Sequence, residues 1–474
     1  MLDEVTRTYA VLPRFDEGHR LDFDFFHPEL GWIREYRSND ALVLLGSQIL
    51  RPEYGLGDSA GDVGETRYLT VQHILSNGEI ADSPRQFVGT PPDDALLLEN
   101  DILIARTGFS LGKAALITPA FAGSAFGSFC LRLRMRDDAQ YVPGFVVRFL
   151  NSRFGQAQIR LLRTGSDKPN INTDQVNDLR LPPIQTEDQE RIIEALREIE
   201  EQARQREVAA AAAMHGAERL FVELLGLTVP DRRPPSYFFE DSGESGSVVF
   251  AIVAPSEGRL NYLFYDPRNR FGGDFRLPLV ALSQAVEDGR IITGEQPEFV
   301  ENGPRVALKT VDVSDDGIDS ENALRVSDEF FEKHAGSRVE SGDIVVTATG
   351  YGSLGKVAVY GGQEPALISG ELLACRPKEE YSASFVAHWL RCPFGRMQFD
   401  RLFSGSSGQI HLYESDFAQF LVPDCSEERG VPREVQERVA RGADEARREG
   451  RQLQESAVEL WAEARRRFET LITE

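Results

Sequence analysis

One stretch of this chain is written twice, and that constrains its fold more than any other feature. Leu98 to Lys113 (LENDILIARTGFSLGK) reads as a buried strand running into a tight glycine loop. Val339 to Lys356 (VESGDIVVTATGYGSLGK) repeats it with one residue inserted in the loop. A repeat decides the architecture before any local reading does. Upstream, Arg20-Leu21-Asp22-Phe23-Asp24-Phe25-Phe26-His27-Pro28 matches Arg259-Leu260-Asn261-Tyr262-Leu263-Phe264-Tyr265-Asp266-Pro267, 239 positions on. Downstream, Tyr141, Phe145, Leu150, Phe154, Gln158, Gly165 and Pro183 recur at Tyr381, Phe385, Leu390, Phe394, Gln398, Gly405 and Pro423, each 240 positions on. The chain is therefore two copies of one unit, each of ordinary domain size.

Between and after the copies the pattern becomes helical. From Thr186 an apolar stripe of Ile192, Leu196, Ile199, Ala203, Val208, Ala212, Leu220 and Leu224 predicts one long helix over 187–225. Thr186 and Gln189 are spaced as a capping box at its start. Gly226 and Pro230 close it, and Arg233-Pro234-Pro235 reads as a linker. Val431-Pro432 opens a second long helix, marked by Val435, Val439, Ala446, Leu453, Leu460, Ala464, Phe468 and Leu471. Two such helices of similar length most simply pair with each other, antiparallel. The expected organisation is 1–183 first unit, 184–235 long helix and linker, 236–423 second unit and 424–474 C-terminal helix, an α+β protein with mixed α/β units.

Within a unit, Ala41 to Ile49 is strand or short helix, and 51–66 is a glycine-rich and acidic loop. Tyr68–Ile74 and Val306–Val313 read as strands, Phe129–Met135 as a half-exposed strand, and Val142–Leu162 as a helix. Cys130 and Cys375 stand at matching places as buried thiols. Four cysteines with no close pairing fit a reducing cytoplasm. No apolar run approaches a membrane span, and the N-terminus lacks the pattern of a signal peptide.

The formal charge of −24 is unlike the basic footprint of a nucleic-acid binder. Net charge governs solubility and nonspecific association, and local patches can oppose the total. Gly350 to Lys356 has the spacing of a phosphate-binding loop. However, Val357 stands where a magnesium-ligating Ser or Thr belongs, a strand-like run follows where a helix should begin, and the first copy is a residue short. A glycine turn between two strands fits both copies, with room for Arg106, Thr107, Ser110, Lys113, Thr349, Tyr351 and Lys356 to meet a ligand. A second polar loop, Thr164 to Asn172, carries Ser166, Lys168 and Asn170. Its counterpart, Ser404 to His411, carries Ser406 and Gln409. These residue types suit phosphates or base edges, and a turn that caps the unit against its helix suits them equally. There is no nucleophile elbow, no zinc-binding His-Glu-x-x-His, no cysteine cluster and no methyltransferase signature. The seven dispersed histidines read as structural. No catalytic residue, metal site or cofactor is expected.

In order and duplication these motifs resemble the target-recognition domains of type I restriction–modification specificity subunits. The residues that carry the likeness are the Asp-Ile-Leu-Ile-x-Arg-Thr-Gly-x-Ser-x-Gly-Lys strand and loop, and the passage from Gly165 through Leu181-Pro182-Pro183-Ile184 to Gln189 and Ile192, together with Arg20 to Pro28. The second copy departs from the pattern: Leu421-Val422-Pro423-Asp424 replaces the double proline, and no Gln-x-x-Ile follows at the same distance. The resemblance implies a non-catalytic DNA-recognition subunit in which each domain reads half of a split site and the paired helices act as a spacer. Its implied partners are double-stranded DNA, two methyltransferase subunits and a restriction or translocase subunit; no membrane is involved, and the setting is cytoplasmic phage defence. A rival reading, favoured by the acidity, is a defence-system scaffold or sensor that uses the same architecture to bind protein.

Overall fold

The computed structural model describes residues 30–57, 61, 64–165, 168–228, 277–350, 352–405, 410–427 and 430–474. The Arg20–Pro28 element, its repeat at Arg259–Pro267 and the Arg233–Pro235 linker lie outside these residues. The chain divides into two compact units, Met1–Gln205 with Ser456–Glu474, and Arg206–Glu455. Each unit combines sheet, short helices and one half of each long helix.

In unit 1 the strands Glu53–Tyr54, Cys130–Leu133, Ile102–Ala105 and Ala114–Leu116 stand in that order, all antiparallel. In unit 2 the order is repeated by Val286–Thr293, Leu372–Pro377, Ile344–Thr347 and Val357–Val359. A second sheet sets Thr66–Leu69 between Phe87–Val88 and a parallel partner, Ala125–Phe126. Arg305–Leu308 repeats this between Arg325–Val326 and Ala366–Ile368. Ile102–Ala105 is apolar throughout and Ile344–Thr347 at all but its last position, and both are wholly buried because both faces are covered. The repeat thus extends to strand order, and Asp101 and Asp343 begin the same strand. Both carboxylates are buried. Asp101 accepts from Leu98 N (2.7 Å) and from two Arg134 nitrogens (both 2.7 Å). Asp343 accepts from Glu340 N (2.8 Å) and from Arg376 at 2.7 and 2.9 Å. A carboxylate buried this deeply is tolerable only because it is paired and hydrogen-bonded.

Register corrects one pairing read from the sequence. Ile102 faces Leu133, and its counterpart Ile344 faces Cys375, so Cys375 corresponds to Leu133 and not to Cys130. Both thiols are buried as expected, and burial pushes that of Cys130 up to about 12. The Cys130–Leu133 strand is also not half-exposed. Arg132 is 5% exposed, with its Nη1 donating to the carbonyl oxygens of Asp94 and Leu96 (both 2.9 Å) and Glu53 paired to its other nitrogen. An arginine at an alternating position reads as solvent-facing unless carbonyls fold over it.

The stretch Val142–Leu162 is two helices, Pro143–Asn151 and Arg153–Leu162, and it breaks again in copy two at Cys392, between Ala383–Arg391 and Pro393–Leu402. Ser152 caps the second helix through Gly155 N (3.4 Å). The glycine is required there: a Cβ on Gly155 or Gly395 would lie 2.3 or 2.1 Å from the carbonyl oxygen of Phe149 or Leu390. The apolar period survives such a break, so periodicity alone cannot reveal it. Ala41–Ile49 supplies both expected forms, strand Val43–Leu44 and the 3-10 turn Leu45–Ser47. The 51–66 loop contributes strand Glu53–Tyr54 and the start of Thr66–Leu69.

The long helices are Thr186–Leu224 and Arg433–Leu471, 39 residues each. In unit 1 the start of the first packs against the end of the second, with Ile192 and Leu196 beside Phe468, which meets Phe145 at 5.4 Å. In unit 2 the end of the first meets the start of the second, through Phe221 and Val222 beside Val439, Ala440 and Ala443. The pairing is antiparallel in both. Its seam agrees with the predicted stripe at Leu196, Ala203 and Ala464, which are buried, and departs from it elsewhere: Val208 is 71% exposed, while Ala210, Ala217, Ala443, Gly450 and Ala457 are buried. Small residues recurring every seven positions, as at Ala203, Ala210 and Ala217, let two helix backbones approach closely. In unit 2 a Cβ on Gly450 would stand 3.2 Å from the carbonyl oxygen of Ala210.

Thr186 does not form the expected capping box. It lies inside the helix and donates to Gln140 O (2.9 Å). The Gln189 amide accepts from Val142 N (2.9 Å) and donates to Gln140 O (2.9 Å) and Ile184 O (2.8 Å), so it ties the globular part to the helix. Copy two has the same device. Gln436 accepts from Ser382 N (2.8 Å) and donates to Glu380 O (3.0 Å) and Val431 O (2.8 Å). The Gln-x-x-apolar signal is therefore present, as Gln436 and Val439, displaced by extra residues after Pro423.

Candidate functional site

The two loops singled out by sequence lie side by side in each unit. In unit 1, Thr107 and Asn170 form an antiparallel bridge, Asn170 also bridges Thr164, and Ile171 N donates to Arg106 O (3.0 Å). In unit 2, Thr349 and Ser404 both bridge His411, and Leu412 N donates to Ala348 O (2.8 Å). The structure thus gathers Arg106, Thr107 and Asn170 at one strand end, and Thr349 with His411 at its equivalent. Ser166, Tyr351, Ser406 and Gln409 lie outside the described residues.

The glycine loop is a turn between two strands in both copies, and a strand, Ala114–Leu116 or Val357–Val359, follows it. Gly112 N donates to Ala105 O (2.8 Å) and Ala105 N to Lys113 O (2.9 Å). Gly355 N and Thr347 N make the same two bonds, to Thr347 O (2.9 Å) and Lys356 O (3.0 Å). Gly112 and Gly355 have φ of +84° and +82°, a region that an L side chain rarely adopts. Each glycine also packs on the helix behind it, beside Ile159 in one copy and Phe399 in the other. Gln156 donates to Gly112 O (2.8 Å), and Arg396 does so to Gly355 O. The loop is held from behind, and Ser110 O is used inside the turn by Lys113 N (3.0 Å). Lys168 is exposed on the second loop. That loop also ends in a cap, since Asn172 accepts from Gln175 N (2.9 Å) and starts helix Thr173–Asn177.

Around this shared frame the side chains differ. In unit 1 the Arg106 guanidinium lies over the Tyr54 ring, 4.8 Å from its centroid, and its Nη1 donates to Ser128 O (3.2 Å). Phe129, whose carbonyl accepts from Arg106 N (3.0 Å), is 62% exposed. Beside them Arg51, Pro52, Glu53, Tyr54, Asp94 and Thr173 line an open cleft of about 480 Å³. Tyr54 and Phe129 were missed by sequence reasoning: the first lies in a segment read as loop, and the second in a strand read only for its alternation. Among the described residues no group of three or more His, Cys, Asp or Glu could hold a metal ion, and no helix is long and apolar enough to cross a membrane.

No family model and no curated protein matches the sequence. Solved structures do. A chain from a study of complex assembly and conformational transition in the type I R-M system matches at 18% identity, covering 91% of this chain and 96% of that one, with a TM-score of 0.40. The type I restriction-modification S subunit from M. genitalium matches at 15% identity, 91% and 95% coverage and a TM-score of 0.38. The HsdS subunit from Thermoanaerobacter tengcongensis matches at 18% identity, with the same coverages and a TM-score of 0.31.

Proposed function

We propose that this chain is the non-catalytic DNA sequence-recognition subunit of a type I-like restriction–modification or methyltransferase complex. Each globular unit reads one half of a bipartite site, the long helices fix the unread gap, and two methyltransferase subunits, with a restriction or translocase subunit, complete the assembly. The observation that carries this reading is the duplicated pair of loops. Each pair projects from the end of a wholly buried strand, is fixed by backbone bridges, and is braced by a helix from behind. Base readout needs hydrogen-bonding groups on a rigid support. With −24 on the chain, much of the phosphate neutralisation falls to the partner subunits.

The test is selection from a randomised double-stranded DNA pool by the full-length protein, with and without the methyltransferase that co-purifies with it. A split motif with an unread gap is expected. Exchanging 236–423 for the matching unit of a relative should change one half and leave the other. Adding about one turn (~5.4 Å) to both helices should widen the gap by roughly one or two base pairs. A contiguous motif, or no enrichment, would overturn the reading.

A further inference from the structure

The two loop pairs share one backbone frame, so their side chains can be compared position by position. Arg106 N donates to Phe129 O (3.0 Å), and Ala348 N to Glu371 O (2.9 Å), which makes Arg106 equivalent to Ala348 and Phe129 to Glu371. Tyr54 faces Leu131 and Thr293 faces Leu373, so these two also correspond. Leu56 N donates to Phe126 O (2.8 Å), and Glu295 N to Ile368 O (3.2 Å), in the same place. Unit 1 therefore presents a guanidinium on an aromatic ring with apolar neighbours. Unit 2, at the same positions, has no guanidinium, and carboxylates stand where unit 1 has Phe129 and Leu56. The loop lysines Lys113 and Lys356 and the threonines Thr107 and Thr349 are common to both.

The two chemistries are complementary in hydrogen bonding. With Arg106 Nη1 on Ser128 O, Nη2 has no protein acceptor among the described residues, and the Tyr54 ring lies against the guanidinium, so the fork is held from two sides. A fixed arginine fork matches the O6 and N7 acceptors of guanine. Glu371 is exposed, and one of its oxygens accepts from Thr310 Oγ1 (2.9 Å), which orients the carboxylate and leaves the other oxygen to accept from a ligand. An ionised carboxylate repels phosphate and accepts only from donors, and the base-edge donor it suits is the N4 amine of cytosine.

We infer that the two units read with opposite polarity. Arg106 selects a guanine in one half-site by donating, and Glu371 selects a cytosine in the other by accepting. This rests on the bipartite-reader function proposed above and assigns one specificity-determining residue to each half.

The experiment is the same selection from randomised duplex DNA, run with full-length wild type, Arg106→Ala, Glu371→Gln and Phe129→Glu. Arg106→Ala should lose discrimination at one guanine of one half-site by roughly 5- to 150-fold, the range of a good bidentate contact, with the other half unchanged. Glu371→Gln is isosteric and keeps the Thr310 bond. It should move a cytosine preference to adenine at one position of the other half, because an amide pairs with adenine N6 and N7. Phe129→Glu should weaken binding in the first half only. A wild-type split motif that Glu371→Gln leaves untouched would sink the inference and spare the bipartite reading. Arg106→Ala binding that weakens equally on all sequences with a shallower salt dependence would place Arg106 on phosphate and overturn it too. A wild-type motif with a single half would show that unit 2 meets something other than DNA, a basic protein included, and would remove both.

Discussion

Residues 148 and 388 occupy the same place in the two copies, 240 positions apart on the helix that faces the long helix pair, yet they fasten their units differently. Arg148 forms a two-pronged ion pair with Glu200 (2.8 and 2.6 Å) at a partly open surface, and Arg204 carries it on to Glu79. His388 is wholly buried. Its Nδ1 lies 3.3 Å from Glu218 and its Nε2 2.9 Å from Asp444, and the ring donates to both only in its doubly protonated form. Glu218 in turn accepts from Arg447 (2.9 Å), whose Nη2 reaches Asp316 (2.7 Å), while Arg391 stands 3.8 Å away. Unit 1 is fastened through the buried Glu200 carboxylate by two arginines that keep contact with solvent, and unit 2 through Glu218, which faces the wholly buried His388 and two arginines that are themselves nearly buried. The same backbone task is thus done with very different sensitivity to a single lost charge.

The largest break in that comparison is expected from Glu218→Ala. It leaves the buried Arg391 and Arg447 without their shared counter-charge and His388 without its Nδ1 partner, at a cost of about 3–5 kcal/mol. Glu200→Ala should cost about 1–2 kcal/mol, because Arg148 and Arg204 can reach solvent and Arg204 keeps Glu79 and Glu201. Denaturant unfolding of the two variants measures both, and equal losses would refute the distinction. Next comes the seam of the helix pair. Gly450→Leu should destabilise by about 1–3 kcal/mol through overpacking against Met214 and the backbone of Ala210, whereas Val208→Leu on the exposed side should change little.

These contrasts also show where sequence was informative. The repeat revealed the fold because each copy places its strands in the same order, and the paired strands are largely apolar and buried. The long helices announced themselves by period, but not their seam. In Ala209–Ala213 every residue is the same, so nothing marks Ala210 as the inward one. The break at Ser152 depends on a carbonyl approaching Gly155, which no pattern records. Of the candidate site, the placing of Arg106, Thr107 and Asn170 together was legible because they sit in the repeated loops. Tyr54 and Phe129 were not, since a cation–π partner from a distant strand leaves no mark in local spacing. Glu371 lay hidden for the same reason, its meaning set by a register that pairs it with Phe129.

Acid should act more weakly than deletion, and on unit 2. Burial alone would raise the Glu218 and Asp444 carboxyls, but hydrogen bonds from His388 and the charges of His388 and Arg391 outweigh it, and both end below the usual range. Groups depressed in the folded state stabilise it above their unfolded pKa, and the contribution is lost as pH falls through the folded value. Stability should therefore drop from roughly pH 4.5 downward, and Glu218→Gln should flatten part of that slope. The loss is smaller than with Glu218→Ala because a protonated carboxyl still fills the space and keeps hydrogen bonds to its neighbours. Unfolding free energies measured between pH 3 and 7 for wild type and Glu218→Gln would test this, and parallel curves would contradict it.

The smallest expected effect compares the hairpin tips that touch the long helices. In unit 1 the tip donates no side chain to the second helix: Arg465 Nη2 reaches the carbonyl oxygen of Ser76 at 3.2 Å. In unit 2 the matching tip is pinned twice on that helix, by Arg451 to Asp316 O (2.9 Å) and by Arg447 to the Asp316 carboxylate. The tip is held again on the globular side, where Asp315 accepts from Val357 N (2.8 Å) and pairs with Arg396. Arg465→Ala and Arg451→Ala each remove one exposed hydrogen bond to a carbonyl, and each should cost under about 1 kcal/mol globally. Locally they should differ. With Asp315 and the Asp316 carboxylate still held, the unit 2 tip should keep its amide protection after Arg451→Ala. The unit 1 tip, left with the Glu79–Arg204 pair as its side-chain tie to a long helix, should exchange faster around Ser76 after Arg465→Ala. Native-state hydrogen exchange reads this tip by tip. Equal quickening at both would mean that the extra anchors of unit 2 add no local stability, and that the two units differ only in the buried network beneath His388.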